Sequence, residues 1–269
     1  VILTAGEDGS AMLWDATTGK ALRMLRGHGN GVLQAMWSQD GSRVLTASMD
    51  DTARIWDAKT GKQLIKLDAH TGDVTQAFWN QDESRIFTVS DDGTAKVWDA
   101  QRGELLLTLA GHSDVIHTLR LNRAQTRLLT ASQDGTARVW DAQSGQALLT
   151  LTQRGPVTDA RWNAAEDRIL TASADHTAKV WDAQRGQEVA TLSTYGQVVR
   201  LVLWNRDDSR LLTASDDGKV RQFYLQPDSV ITAACARGAV RNMTHSEWAQ
   251  FMVDQPYQST CANLSEEMD

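Results

Sequence analysis

Proline and cysteine are scarce in this chain, with three Pro and two Cys in 269 residues. Two thiols build neither a disulfide framework nor a four-thiolate zinc site. No run of 18 apolar residues exists, so no membrane-spanning helix is encoded. Phe and Tyr are also few, four and three. Trp, ordinarily the rarest aromatic, occurs ten times, and that excess needs a cause. The hydrophobic fraction of 41% and charged fraction of 23% describe a globular chain. A net charge of −7, without a basic patch, speaks against nucleic acid as partner. No signal peptide is visible, no glycine-rich phosphate loop, no nucleophile elbow and no kinase motif.

What is present is repetition. Trp-Asp occurs at Trp14-Asp15, Trp56-Asp57, Trp98-Asp99, Trp140-Asp141 and Trp181-Asp182, with a degraded copy at Phe223-Tyr224. A second series is Trp37, Trp79, Leu121, Trp162 and Trp204, and a third is Gly19, Gly61, Gly103, Gly145 and Gly186. All three share a period of 42 residues, shortened once to 41. The missing residue is expected between Val157 and Trp162. One repeat reads as four short strands, Val74–Trp79, Arg85–Ser90, Thr94–Asp99 and Leu105–Leu109, separated by turns such as Asp92-Gly93. Counting blocks gives 22 strands, with the first and last blocks one short. A four-stranded sheet alone cannot cover its two apolar faces, but radial stacking covers both.

These dipeptides, with Gly27-His28, Ala69-His70 and Gly111-His112, make the chain resemble the WD-repeat family over residues 1–225. The resemblance implies an all-β propeller. The strand count is expected to mark the C-terminal part of a longer chain whose intact propeller has six or seven blades. The family also implies a hydrogen-bonded set in each blade. Carried over, these sets are His28, Ser48, Asp50 and Trp56; His70, Ser90, Asp92 and Trp98; and His112, Ser132, Asp134 and Trp140. The pattern decays in block five, where Arg154 takes the His position, and in block six, where Tyr195 and Phe223 replace His and Trp. A Ser, His and Asp trio invites a hydrolase reading, but a site is built once and a structural device once per repeat. No metal ligand spacing or calcium loop is complete, so neither metal nor cofactor is expected.

Residues 226–269 differ in composition, holding both Cys and six acids against two bases. Asp228–Arg237 reads as a short helix, and Thr244 with Glu247 forms a capping-box pattern ahead of Trp248, Phe251 and Met252. The tail resembles a segment closing bacterial multidomain WD-repeat regulators, through Cys235, Arg241–Thr244, Glu247-Trp248, Pro256-Tyr257 and Thr260-Cys261. Cys235 and Cys261 are expected near each other. The implied function is a non-enzymatic, cytoplasmic interaction platform, the sensing end of a signalling protein, touching upstream domains of its parent chain. By resemblance, partners bind the rim carrying the turns between second and third strands. Candidates there are Glu7, Leu33, Met49, Asp73, Asp91, Asp114, Ile116, Gln133, Val199 and Asp216. Acids around apolar anchors suit a basic or amphipathic protein or peptide. The alternative is a ligand or catalytic site in the central channel, lined by Gln34, Gln76, His117, Asp159 and Arg200.

Overall fold

The computed structural model describes residues 1–193 and 196–224. The tail, with its expected helices and the Cys235 and Cys261 pair, lies outside the described residues, as does Tyr195. Within them, 22 strands form six antiparallel sheets of three, four, four, four, four and three strands. This is the count that the repeats imply. Each sheet is a meander in chain order. Blade three comprises Val74–Trp79, Arg85–Ser90, Ala95–Asp99 and Leu105–Leu109.

The register explains where each residue type sits. The second strand of blade two, Arg43–Ser48, is buried on both faces. Its alternation sends Val44 into the gap with blade one and Leu45 into the gap with blade three. The core is therefore not one mass. It is a set of apolar layers between successive sheets, such as Leu45, Ala47 and Ile55 of blade two against Val74, Ala77, Ile86 and Trp98 of blade three. The first strands of successive blades pack on one another and are innermost. The fourth strand is outermost and exposed, apart from one anchoring leucine at Leu25, Leu67, Leu109 and Leu151. In the last sheet the equivalents of core residues lie open: Leu212 is 37% and Val220 68% exposed, where Leu45 and Ala53 are at 1% and 0%.

The Asp of each Trp-Asp dipeptide braces the turn into the fourth strand. Asp99 Oδ1 accepts from the backbone N–H of Gln101 (2.9 Å) and Arg102 (2.7 Å), and the N–H of Gly103 donates to the Asp99 carbonyl. Gly103 sits at φ +72° and Gly19, in the matching turn of blade one, at φ +68°. A Cβ on Gly103 would lie 2.5 Å from Ile65 Cγ2 of the previous blade, whereas one on Gly19 meets nothing within 4 Å. Gly19→Ala should therefore cost only the left-handed backbone penalty, about 1 kcal/mol. Gly103→Ala should cost that plus overpacking, roughly 2–4 kcal/mol in all. Paired denaturant titrations of the two variants measure the difference.

Candidate functional site

The repeated polar set joins the second strand, the third strand and the loop ahead of the first. In blade two, Trp56 Nε1–H donates to Thr46 Oγ1 at 2.8 Å, and Thr46 Oγ1 lies 2.7 Å from His28 Nε2. His28 Nδ1 faces the Asp50 carboxylate at 2.9 Å. Blade three repeats this through Trp98, Thr88, His70 and Asp92, and blade four through Trp140, Thr130, His112 and Asp134. With the buried ring neutral, the donors run in one direction: indole N–H to threonine oxygen, threonine O–H to Nε2, Nδ1–H to carboxylate. That order requires neutral histidine and ionised aspartate.

The linking hydroxyl is thus Thr46, Thr88 or Thr130, and not Ser48, Ser90 or Ser132. Residues two apart share a strand face, so both hydroxyls lie on the same side. Only the threonine is deep enough to reach the rings. Ser48 instead donates to the Asn30 carbonyl (3.1 Å) and accepts from the Asp50 N–H (3.1 Å), tying the hairpin turn to the loop before the first strand. Thr46 and Ser48 are both fully buried. No substrate can reach a hydroxyl there, and no Ser, His and Asp triad exists in these blades.

Each described first strand that follows such a loop carries a β-bulge. The register shifts between Val32 and Gln34, Val74 and Gln76, Ile116 and Thr118, Val157 and Asp159, and Val199 and Leu201. The extra residue is Leu33, Thr75, His117, Thr158 or Arg200. Ile116 and Val199, expected on the rim, are instead wholly buried. They are the equivalents of Val32, Val74 and Val157, and a one-residue slip in register turns a side chain to the other face. The bulge residues lie beside the position preceding the turn Asp. His117 Nε2 is 3.0 Å from Gln133 Oε1, and Arg200 holds Asp216 through two contacts of 2.8 Å. Asp114 Oδ1 accepts from the Val115 N–H at 2.8 Å. Leu33 is 45% exposed, and Glu7, Asp91 and Gln133 are exposed, with Met49 and Asp73 half-buried. Burial, then the neighbouring Asp73 carboxylate, push the Asp91 carboxyl above its ordinary range.

The family model described as WD domain, G-beta repeat matches residues 19–57, 61–99, 103–141, 145–182 and 186–223, more than half of the sequence. The chain belongs to the WD-repeat family. Among curated proteins none matches it. WD-repeat domains are typically non-catalytic platforms for protein interaction. Among the described residues no helix is long and apolar enough to cross a membrane. Among the same residues no group of three His, Cys, Asp or Glu could hold a metal ion.

In blade five the relay is broken. The seat of histidine is taken by Gln153, 6% exposed, and not by Arg154. Leu109 corresponds to Leu151 and His112 to Gln153, so the lost residue is the equivalent of Gly111 and not one beyond Val157. Trp181 still donates to Thr171 at 2.8 Å. Gln153 Nε2 reaches Thr177 Oγ1 at 3.3 Å, and its Oε1 is buried without a partner among the described residues. In blade six, Phe223 brings no N–H, and Thr213 Oγ1 is likewise buried and unpartnered among the described residues.

The inner ring is also committed to structure. The positions in register are Gln34, Gln76, Thr118, Asp159 and Leu201, so His117 and Arg200 do not belong to it. Gln34 Oε1 accepts from the Ala77 N–H (2.9 Å), and Gln76 Nε2 donates to the His117 carbonyl (2.8 Å). Asp159, 2% exposed, accepts from Arg120 (3.2 Å), Arg161 (2.9 Å) and the Val202 N–H (3.3 Å). The side chains of Gln34, Gln76 and Asp159 thus bridge successive blades. On the opposite edge, carboxylates make a clasp that the sequence reading missed. Glu83, Glu166 and Asp208 sit at φ between +56° and +58° and accept backbone N–H groups of the preceding blade's turn, from Gln39, Arg123 and Ala164.

The relay sets stability. Thr88→Val leaves the Trp98 N–H and a ring nitrogen of His70 unpartnered, and should cost about 2–4 kcal/mol. Ser90→Ala loses one donor and one acceptor nearer the turn and should cost about 1 kcal/mol. Chemical denaturation of both variants checks the ranking. The pH response follows from the same geometry. Burial holds His28, His70 and His112 below their ordinary 6.5, only partly offset by their aspartates. Burial pushes Asp134 up, but bonds from Thr136 and His112 together outweigh it and bring it to about 2. Below pH 6.5 the unfolded chain binds protons that the folded histidines refuse, so stability falls as pH drops. It falls again as pH passes down through the carboxylate range, because the depressed aspartates must also protonate. The thermal midpoint should be flat above pH 7 and decline below 6.5. In His112→Gln the first decline should be shallower, and an unchanged slope would refute the assignment.

Proposed function

We propose that this propeller is a docking platform for a basic or amphipathic peptide segment, and that the peptide binds the rim at Leu33, Met49, Asp73 and Asp91. One observation carries this reading. The blades keep the framework hydroxyls and a buried β-branched residue (Val32, Val74, Ile116, Val157, Val199) but change the paired rim positions: Leu33 with Met49, Thr75 with Asp91, His117 with Gln133, Thr158 with Ala174, Arg200 with Asp216. A bulge re-aims a side chain without disturbing the core, which makes these positions free to specify a partner. Of the rim acids, Asp216 is neutralised by Arg200 and Asp114 caps its own loop. Glu7 lies on blade one, and Asp73 and Asp91 stand as two like charges side by side, one of them partly desolvated. A lysine or arginine relieves that repulsion, and Leu33 and Met49 on the adjacent blade offer apolar anchors.

The wider role follows from the tail pattern. It supports a cytoplasmic, regulatory propeller at the end of a bacterial multidomain signalling protein, in which peptide binding alters contacts with upstream domains.

Lysine-rich amphipathic peptides titrated against the full chain test the rim. Asp91→Lys should weaken binding at least tenfold and steepen no salt dependence. Asp216→Lys should change it less than threefold, because Arg200 already cancels that charge. Equal binding by wild type and Asp91→Lys would sink the assignment.

A further inference from the structure

The repeats act as internal controls for one another, and one inter-blade gap departs from the rest. In the gap between blades two and three, Trp79 packs against Leu45 and Ala100, under the guanidinium of Arg43, whose carbon lies 4.6 Å from the ring centre. Arg43 also pairs with Glu83 at 2.9 Å. Trp162 fills the corresponding place between blades four and five, against Leu129 and Ala183. The indole N–H groups of Trp79 and Trp162 are buried without partners among the described residues, so these rings contribute shape.

Between blades three and four both groups are absent. Leu121 stands where the indole belongs, and Gln125 stands where the carboxylate belongs. Phe87 replaces the smaller Leu45 and stacks on Phe78 at 5.4 Å, which restores only part of the volume. A pocket of about 380 Å³ remains, walled by Arg85, Phe87, Leu121, Gln125, Asp141 and Ala142. That is the low end of the range for small-ligand sites. Arg85 occupies the register position of Arg43 and makes no ion pair among the described residues; among these its side chain donates only to the Ala142 carbonyl, at 3.1 Å.

We propose that this pocket binds a flat aromatic ring carrying a carboxylate: the ring takes the place of the missing indole under Arg85, and the carboxylate takes the place of the missing glutamate beside it. Guanidinium over ring and guanidinium to carboxylate are both favourable, and Arg43 makes both in the neighbouring gap. Two wall carboxylates, Asp82 and Asp141, do not forbid an anion. Asp82 accepts from Asn80 and Ser84, and Asp141 from the backbone of Gln143 and Ser144. Asp40 and Asp99, their equivalents by register in the neighbouring gap, make the same kind of local bonds, and Glu83 is held in that gap by Arg43 and the Gln39 N–H. The pocket lies at the end of the blades opposite the peptide rim, so the two sites are independent.

Indole-3-acetate is the probe, titrated into the full chain by calorimetry and by saturation-transfer NMR, with indole and tryptamine alongside. Saturable binding is expected for the acid, weaker binding for indole and weakest for tryptamine. Leu121→Trp refills the gap and should abolish binding while raising the thermal midpoint. Leu121→Phe, a smaller change, should weaken it at least fivefold if the tryptophan variant fails to fold. Gln125→Glu gives Arg85 an internal partner and should weaken it at least tenfold. Asp91→Lys, on the rim, should leave it unchanged. No saturable binding of the acid at millimolar concentration, a preference for tryptamine, or full binding by a folded Leu121→Trp would each overturn the proposal.

Discussion

A four-stranded sheet that is apolar on both faces cannot be stable alone, and everything else in this molecule follows from that constraint. Burial on the order of 25 cal/mol per Å² is available only in the gap between two sheets. Second-strand residues therefore divide their loyalty. Val44 serves one gap and Leu45 the next. The inner amides of Gln34 and Gln76, and the buried Asp159, hold successive sheets in register from the channel side. The acids Glu83, Glu166 and Asp208 do the same at the opposite edge, from left-handed turn positions whose strain is offset by the bonds they make.

Within each sheet the polar relay solves a second problem. In blades two, three and four the tryptophan of the Trp-Asp dipeptide brings an N–H into a dry place, and in the relay that N–H is satisfied. Threonine meets it, histidine meets threonine, and aspartate meets histidine. A chain of this kind is strong only when complete. Blades two, three and four complete it, and blades five and six carry the cost of an unpartnered oxygen each among the described residues.

The strands were legible in the sequence because hairpin turns such as Asp92-Gly93 and the braces after each Trp-Asp punctuate them chemically. The relay was legible in outline. Its hydroxyl was not, because Thr46 and Ser48 lie two apart and period-two alternation cannot separate them. A recurring Thr at 46, 88, 130, 171 and 213 was the available signal. The rim was blurred by the bulges. A bulge hides one residue from any count by spacing, so spacing sets Ile116 and Val199 on the rim although they are core, and His117 and Arg200 in the channel although they are rim. The loss of one residue beside Gln153 escapes spacing for a related reason: spacing reports that a residue is gone, and strand register reports where.

The boundaries of the matched repeats hold a further consequence. The segment 19–57 begins with strand Ala21–Arg26, which pairs in the sheet of blade one, and continues with three strands of blade two. Each matched unit is thus offset by one strand from the sheet that folds. It gives its first strand to the preceding sheet, so consecutive units are held together by backbone hydrogen bonds within a sheet, while the sheets themselves are joined by the loops from fourth to first strand.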